Sequence, residues 1–316
     1  MELTSGRITA LILGVPVAAS LIGWSGYNIV AAISPGTYQV NSSIPVADGQ
    51  LNAGIDASSV SLTQGGTGSS AKLTGTVQYT LYKPSVTENQ SATGPVISFD
   101  CTAPPQGDCS FNAGLAVPVS TAVTLDTAGG DLDAAGFNGK LTLTTDGGNV
   151  TTGALSGDLN LDTGGGDLSS TTLSDPGTLQ LDTEGGNVAA NVITAPGVNI
   201  QSGGGDVNVS TAIDDSGSLE INAEGGNIST GAVVARDADI DSGGGDVTLT
   251  FTQVPKYLQI TTEGGNITVV LPSAKYQVSA NAEGGTINAV PADVPAATNV
   301  LSVDSGGGNI DITEGS

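Results

Sequence analysis

The feature that most constrains this chain is a short phrase repeated through its second half: two glycines, an Asp or Asn, then Leu, Val or Ile. The polar position is held by Asp131, Asn149, Asp167, Asn187, Asp206, Asn227, Asp246, Asn266, Thr286 and Asn309, with successive gaps of 18, 18, 20, 19, 21, 19, 20, 20 and 23 residues. A period this constant points to stacked units, each burying its apolar side only against its neighbours.

Within each unit, two runs alternate in polarity. Leu179, Leu181 and Thr183 share one side of a run whose other side carries Gln180, Asp182 and Glu184. Beyond the glycines, Val188, Ala190 and Val192 oppose Asn187, Ala189 and Asn191. Such alternation predicts half-buried strands. The glycine pair is expected to form the corner through its access to positive φ. Two folds fit: a β-solenoid with equivalent positions about 4.8 Å apart, or a meander of hairpins turning at each D-G-G-N.

Charge patterning favours the solenoid. Three residues before the Asp or Asn stand Ala128, Asp146, Gly164, Glu184, Gly203, Glu224, Gly243, Glu263, Glu283 and Gly306. Units with an acid there mostly carry Asn after the glycines, and units with Gly there mostly carry Asp. Carboxylates stacked about 5 Å apart repel by about 3 kcal/mol at an effective dielectric near 20. Alternation separates them by two rungs, so the true repeat is about forty residues made of two coils. The pattern fails at Glu263 and Glu283, which both carry acids, and at Thr286, which reads as the carboxyl end of the regular array. The fold class is therefore all-β, a solenoid of about ten coils of about 20 residues. Stacked at strand spacing it would extend about 45–50 Å.

Composition narrows the function. The 316 residues contain 31 acidic and 7 basic side chains, for a net charge of −24. No basic patch exists to neutralise phosphates, which excludes nucleic-acid binding. The absence of His removes Ser-His-Asp and Cys-His chemistry and the usual zinc site. Cys101 and Cys109 bracket a loop with two prolines and a glycine; the spacing predicts a disulfide and an oxidising compartment.

From Ile8 to Ile33 no residue is charged, and Arg7 stands just before the run. About 20 apolar residues span a bilayer. Residues 1–34 are read as a single-pass membrane anchor with the remainder outside the cytoplasm; a cleaved signal peptide, giving a secreted protein, is the alternative. Residues 35–120 read as an irregular β cap module with the disulfide loop, and 121–316 as the repeat solenoid.

The opening LGVPVAASLIGWSGYNIV, the pair of runs in AKLTGTVQYTLYKP, the C-x7-C loop and the tandem DGGN and GGGD units together resemble a bacterial β-strand-repeat family of unknown function. Its members are labelled as proposed adhesins, are common in actinobacteria and often begin with a hydrophobic anchor. The resemblance covers nearly the whole chain and implies no catalytic residues.

These readings predict a non-enzymatic envelope protein, an adhesin-like or scaffolding rod that contacts the membrane through its amino terminus and an envelope protein or glycan along its surface. No cofactor is expected. One alternative is calcium binding, with Asp131, Asp167, Asp206 and Asp246 as candidate ligands and Asp126, Asp162, Asp182, Asp241 and Asp304 recurring in the preceding strands. The nine-residue pattern of calcium-binding β-rolls is absent. Another is a carbohydrate-active enzyme using paired carboxylates, although the acids are near-equivalent, the loops short, and Trp24 is the only Trp. Unequal periods argue against an ice-binding threonine lattice.

Overall fold

The computed structural model describes residues 35–315, apart from 67, 81–82, 92–93, 102–107, 215–216 and 290. These residues are all-β, with no helix. The expected membrane segment, 1–34, lies outside them; among the described residues no helix is long and apolar enough to cross a membrane.

The strands form two sheets, one of 15 strands and one of 13. In each unit the strand before the glycines belongs to one sheet and the strand after them to the other. Leu141–Thr145 pairs in parallel with Ala122–Thr127 and Leu159–Thr163. Val150–Ser156 pairs in parallel with Asp131–Ala135 and Leu168–Ser174. Strands flanking a glycine pair are not partners, so no hairpin turns there, and the meander is excluded. The chain is a β-solenoid of about nine turns.

Inward positions stack like on like. Leu143, Leu161, Leu181, Ile200, Ile221, Ile240, Ile260 and Val303 occupy successive rungs of one column. From the second sheet Val150, Leu168, Val188, Val207, Ile228, Val247, Ile267 and Ile310 face them. All are buried. Each such side chain contributes about 1.5–3 kcal/mol by burial, and none needs to be large, since the two sheets lie close. This is why a chain with 3% aromatic residues can still fill a core.

Residues 35–118 are not simply a separate lid. Gln50–Ile55 pairs in parallel with Ala122–Thr127, and Ser59–Gly66 with Asp131–Ala135, so they continue the two sheets. Upon them sit antiparallel strands: Pro35–Pro45 on Ser70–Thr80, and Ser70–Thr80 on Cys109–Pro118. Two aromatic pairs pack there, with Tyr38 and Tyr79 ring centroids 6.3 Å apart and Phe99 and Phe111 5.7 Å apart. Cys101 and Cys109 are joined by a disulfide, with Cα atoms 6.4 Å apart.

At the other end chain order and spatial order part company. The last coil, Asn299–Ser305 with Ile310–Gly315, lies between the coil of Tyr257–Thr262 and the coil of Tyr276–Ala282. The edge of Tyr276–Ala282 is partly covered by the following loop: Val294 N donates to Tyr276 O at 2.8 Å, and Val278 N to Asp293 Oδ1 at 2.9 Å. Covering an open edge in this way blocks strand addition from another chain.

Candidate functional site

The repeated corner is the most elaborate local structure in the molecule. The second glycine of each pair lies directly over its equivalent. A Cβ on Gly148, Gly166, Gly186, Gly205, Gly226, Gly245 or Gly265 would overlap the carbonyl oxygen of the corresponding glycine one coil earlier. The first glycine of the pair, as at Gly147, Gly165, Gly185 and Gly204, has open space instead. None of these residues adopts a positive φ of the left-handed kind. Among the corner doublets only Gly129 has such a φ, at 148°, so the expectation that glycine is needed for positive φ is corrected at the other corners, where the second glycine is needed for close backbone approach.

Beneath the corners runs a column of buried hydroxyls, interrupted at Ala223 and Ala282. Thr145, Thr163, Thr183, Ser202, Ser242, Thr262 and Ser305 are all at most 1% exposed. Ser202 Oγ donates to Gly186 O at 3.0 Å and accepts from Gly205 N at 3.0 Å. Ser242 bonds Gly226 O and Gly245 N, each at 2.9 Å. The hydroxyls thus satisfy corner backbone groups that the strand ladders leave unpaired. The sequence signal was a Thr or Ser recurring three positions before the second glycine; its inward side was legible, but its bonding role was not.

Outside the corner, the Asp/Asn residues form a continuous ladder. Asp131 Oδ1 accepts from Asn149 N at 2.9 Å and Asn149 Nδ2 at 3.1 Å, and Asn149 Oδ1 accepts from Asp167 N at 2.9 Å. The pattern repeats through Asn187, Asp206, Asn227, Asp246 and Asn266. It passes to Asn309 and then to Thr286. Either residue can accept the next rung's N–H, but only Asn can also donate to the carboxylate below it. Two adjacent Asp residues would lose that bond and add repulsion.

Spatial order repairs the breakdown at Glu263 and Glu283. Gly306 stacks on Glu263, and Glu283 N in turn donates to Ser305 O at 3.1 Å. The column therefore reads Asp146, Gly164, Glu184, Gly203, Glu224, Gly243, Glu263, Gly306, Glu283, alternating throughout. The reading of Glu263 and Glu283 as a failure of the pattern is overturned, because these acids are not neighbours. The alternation also has a steric cause: at Gly164, Gly203, Gly243 and Gly306 a Cβ would crowd the carbonyl oxygen of the acid one coil earlier. Above Gly203 this leaves a cavity of about 230 Å³ between Glu184 and Glu224.

The candidate calcium ligands Asp131, Asp167, Asp206 and Asp246 lie on alternate rungs of the one exposed ladder, each separated from the next by an Asn. In the strand column, Asp126, Asp162, Asp182, Asp241 and Asp304 fall in register with Thr144, Gln201, Asn222 and Thr261 between them, and only Asp162 and Asp182 are adjacent. Among the described residues no three acids or cysteines gather as a metal site. At the adjacent pair, burial first, then Asp182, Glu184 and Asp146, hold the Asp162 carboxyl above its ordinary range. Lys140 meets Asp158 at 3.0 Å on the surface.

No curated protein matches the chain. Two solved structures align with most of the chain: a candidate cell adhesion protein from Clostridium sporogenes and a candidate adhesin from Bacteroides fragilis. The first is 12% identical with a TM-score of 0.20, covering 89% of this chain and 100% of its own. The second is 15% identical with a TM-score of 0.34, covering 89% and 99%. The Toastrack DUF4097 family matches residues 149–313, the stretch that holds most of the glycine corners and just over half of the sequence, and the chain belongs to that family.

Proposed function

We propose that this chain is a non-enzymatic surface protein of the cell envelope, an adhesin-like or scaffolding rod of the anchored type common in actinobacteria. It is held by residues 1–34 with its repeat array outside the cytoplasm. The observation that carries this reading is the distribution of polar groups. At the corners they are laid out as continuous ladders, with carboxylates alternated by Asn or Gly rather than gathered around one point. Such a surface offers many equivalent, weakly binding rungs, which suits contact with an extended partner.

Further support comes from the uncharged run Ile8–Ile33, the net charge of −24 and the Cys101–Cys109 disulfide, which belongs to an oxidising compartment. The test is protease shaving of intact cells carrying a carboxyl-terminal tag, followed by fractionation. The tag should sediment with membranes and be removed by external protease. A tag that is protected in intact cells, or that appears in the soluble cytoplasmic fraction, contradicts the proposal.

A further inference from the structure

We propose that the outer face of the 13-stranded sheet carries a trough that binds a neutral oligosaccharide. The trough has a volume of about 460 Å³. It exists because one register column is small: Gly197, Ser218 and Asp237 lie on successive rungs and are followed by Tyr257. The neighbouring column, Asn199, Glu220, Asp239 and Gln259, runs alongside on the same rungs. Four rungs span about 14 Å at strand spacing, a length that suits a few sugars in a row.

The chemistry of the lining selects the ligand class. Tyr257 is 48% exposed and lines the trough. The Lys256 ammonium lies 5.3 Å from its ring centroid, which steadies the ring. An open aromatic face accepts the apolar C–H face of a sugar ring. Asn199 and Gln259 both donate and accept, whereas Glu220, Asp237 and Asp239 only accept. Asp237 is half-buried among these lining residues. Three carboxylates repel anionic sugars. A peptide strand has no purchase here, because it adds to a sheet edge and the backbone groups of this face are already paired within the sheet.

This deepens the surface-protein reading by naming what the rod contacts. It is tested on purified protein, so failure to bind would leave the cellular location standing, and a wrong location would leave binding standing. The full-length chain in detergent micelles is titrated calorimetrically with cellotriose, chitotriose and maltotriose, and with trigalacturonate and trilysine as charged probes. At least one neutral trisaccharide should bind saturably, and Tyr257→Ala and Asp237→Ala should each weaken it tenfold or more without changing the melting temperature. Should either variant fail to fold, Ser218→Tyr fills the trough from its solvent side and should abolish binding. Absence of saturable binding by every neutral trisaccharide, binding that survives these substitutions, or tighter binding of trigalacturonate or trilysine overturns the proposal.

Discussion

Replacing Asn187 by Asp changes two atoms' chemistry and almost no volume, so it isolates the logic of the ladder. Asn187 Nδ2 donates to Asp167 Oδ1 at 3.0 Å, while its Oδ1 accepts from Asp206 N at 2.8 Å. The substitution keeps the acceptor and removes the donor, costing about 1 kcal/mol. It also places a carboxylate one rung, about 4.8 Å, from Asp167 and from Asp206. At this exposed column the solvent-like limit applies, so each repulsion is about 1 kcal/mol. The total is about 3 kcal/mol at low ionic strength, where the screening length is about 30 Å; in about 1 M salt, where it is about 3 Å, only the hydrogen-bond loss of about 1 kcal/mol should remain. Denaturant midpoints of Asn187→Asp and wild type, measured in about 10 mM and about 1 M salt, read both parts. Crowded carboxylates have folded pKa values raised above the unfolded ones. Their neutral form is therefore favoured by folding, and the deficit should be full at neutral pH and shrink as pH falls through the carboxylate range. A variant as stable as wild type in low salt, or a deficit indifferent to salt and pH, refutes the reasoning.

Three further outcomes follow from the corner geometry. Gly186→Ala drives a Cβ into the Gly166 carbonyl and should cost more than about 4 kcal/mol or prevent folding, whereas Gly185→Ala, with open space at its Cβ, should lie within about 1 kcal/mol of wild type by thermal unfolding. Ser242→Ala leaves Gly226 O and Gly245 N without their hydroxyl partner and should cost about 1–3 kcal/mol; the low end is expected because Ala223 already occupies the rung below. Asp162→Asn removes a carboxyl whose folded pKa is raised by burial and by Asp182, Glu184 and Asp146. Charge at that site opposes folding, so the variant should be more stable than wild type at neutral pH. The advantage should vanish as pH drops below the ordinary carboxylate range, where both forms are neutral; a gain that persists in acid contradicts the assignment.

Much of the array was legible because stacking forces equivalent positions to obey one rule. Leu179, Leu181 and Thr183 were placed on the inward side from alternation alone, and the choice of solenoid over meander came from the charge column. The cause of the glycine was not legible: backbone approach between coils looks in sequence like a demand for positive φ. Nor was the order of the last two coils. Glu283 follows Glu263 by 20 residues, like any other neighbouring pair, and nothing local announces that residues 299–315 fill the space between them. The trough was invisible for a related reason. Gly197, Ser218, Asp237 and Tyr257 are unremarkable in their own units and form a surface only once four rungs are superposed.

Cysteine pairing across coils tests the stacked order most directly. Gln259 lies opposite Ser302 on the adjacent rung, and Ser302 opposite Ser279 on the next. Adjacent rungs at about 4.8 Å fall within the 4.4–6.8 Å Cα separation of a disulfide, whereas two rungs, about 9.6 Å, do not. The Gln259→Cys, Ser302→Cys pair should oxidise to completion in the folded protein, and Gln259→Cys with Ser279→Cys should stay reduced. The reverse outcome would place the coils in chain order, and failure of both pairs would mean that equivalent positions do not stack.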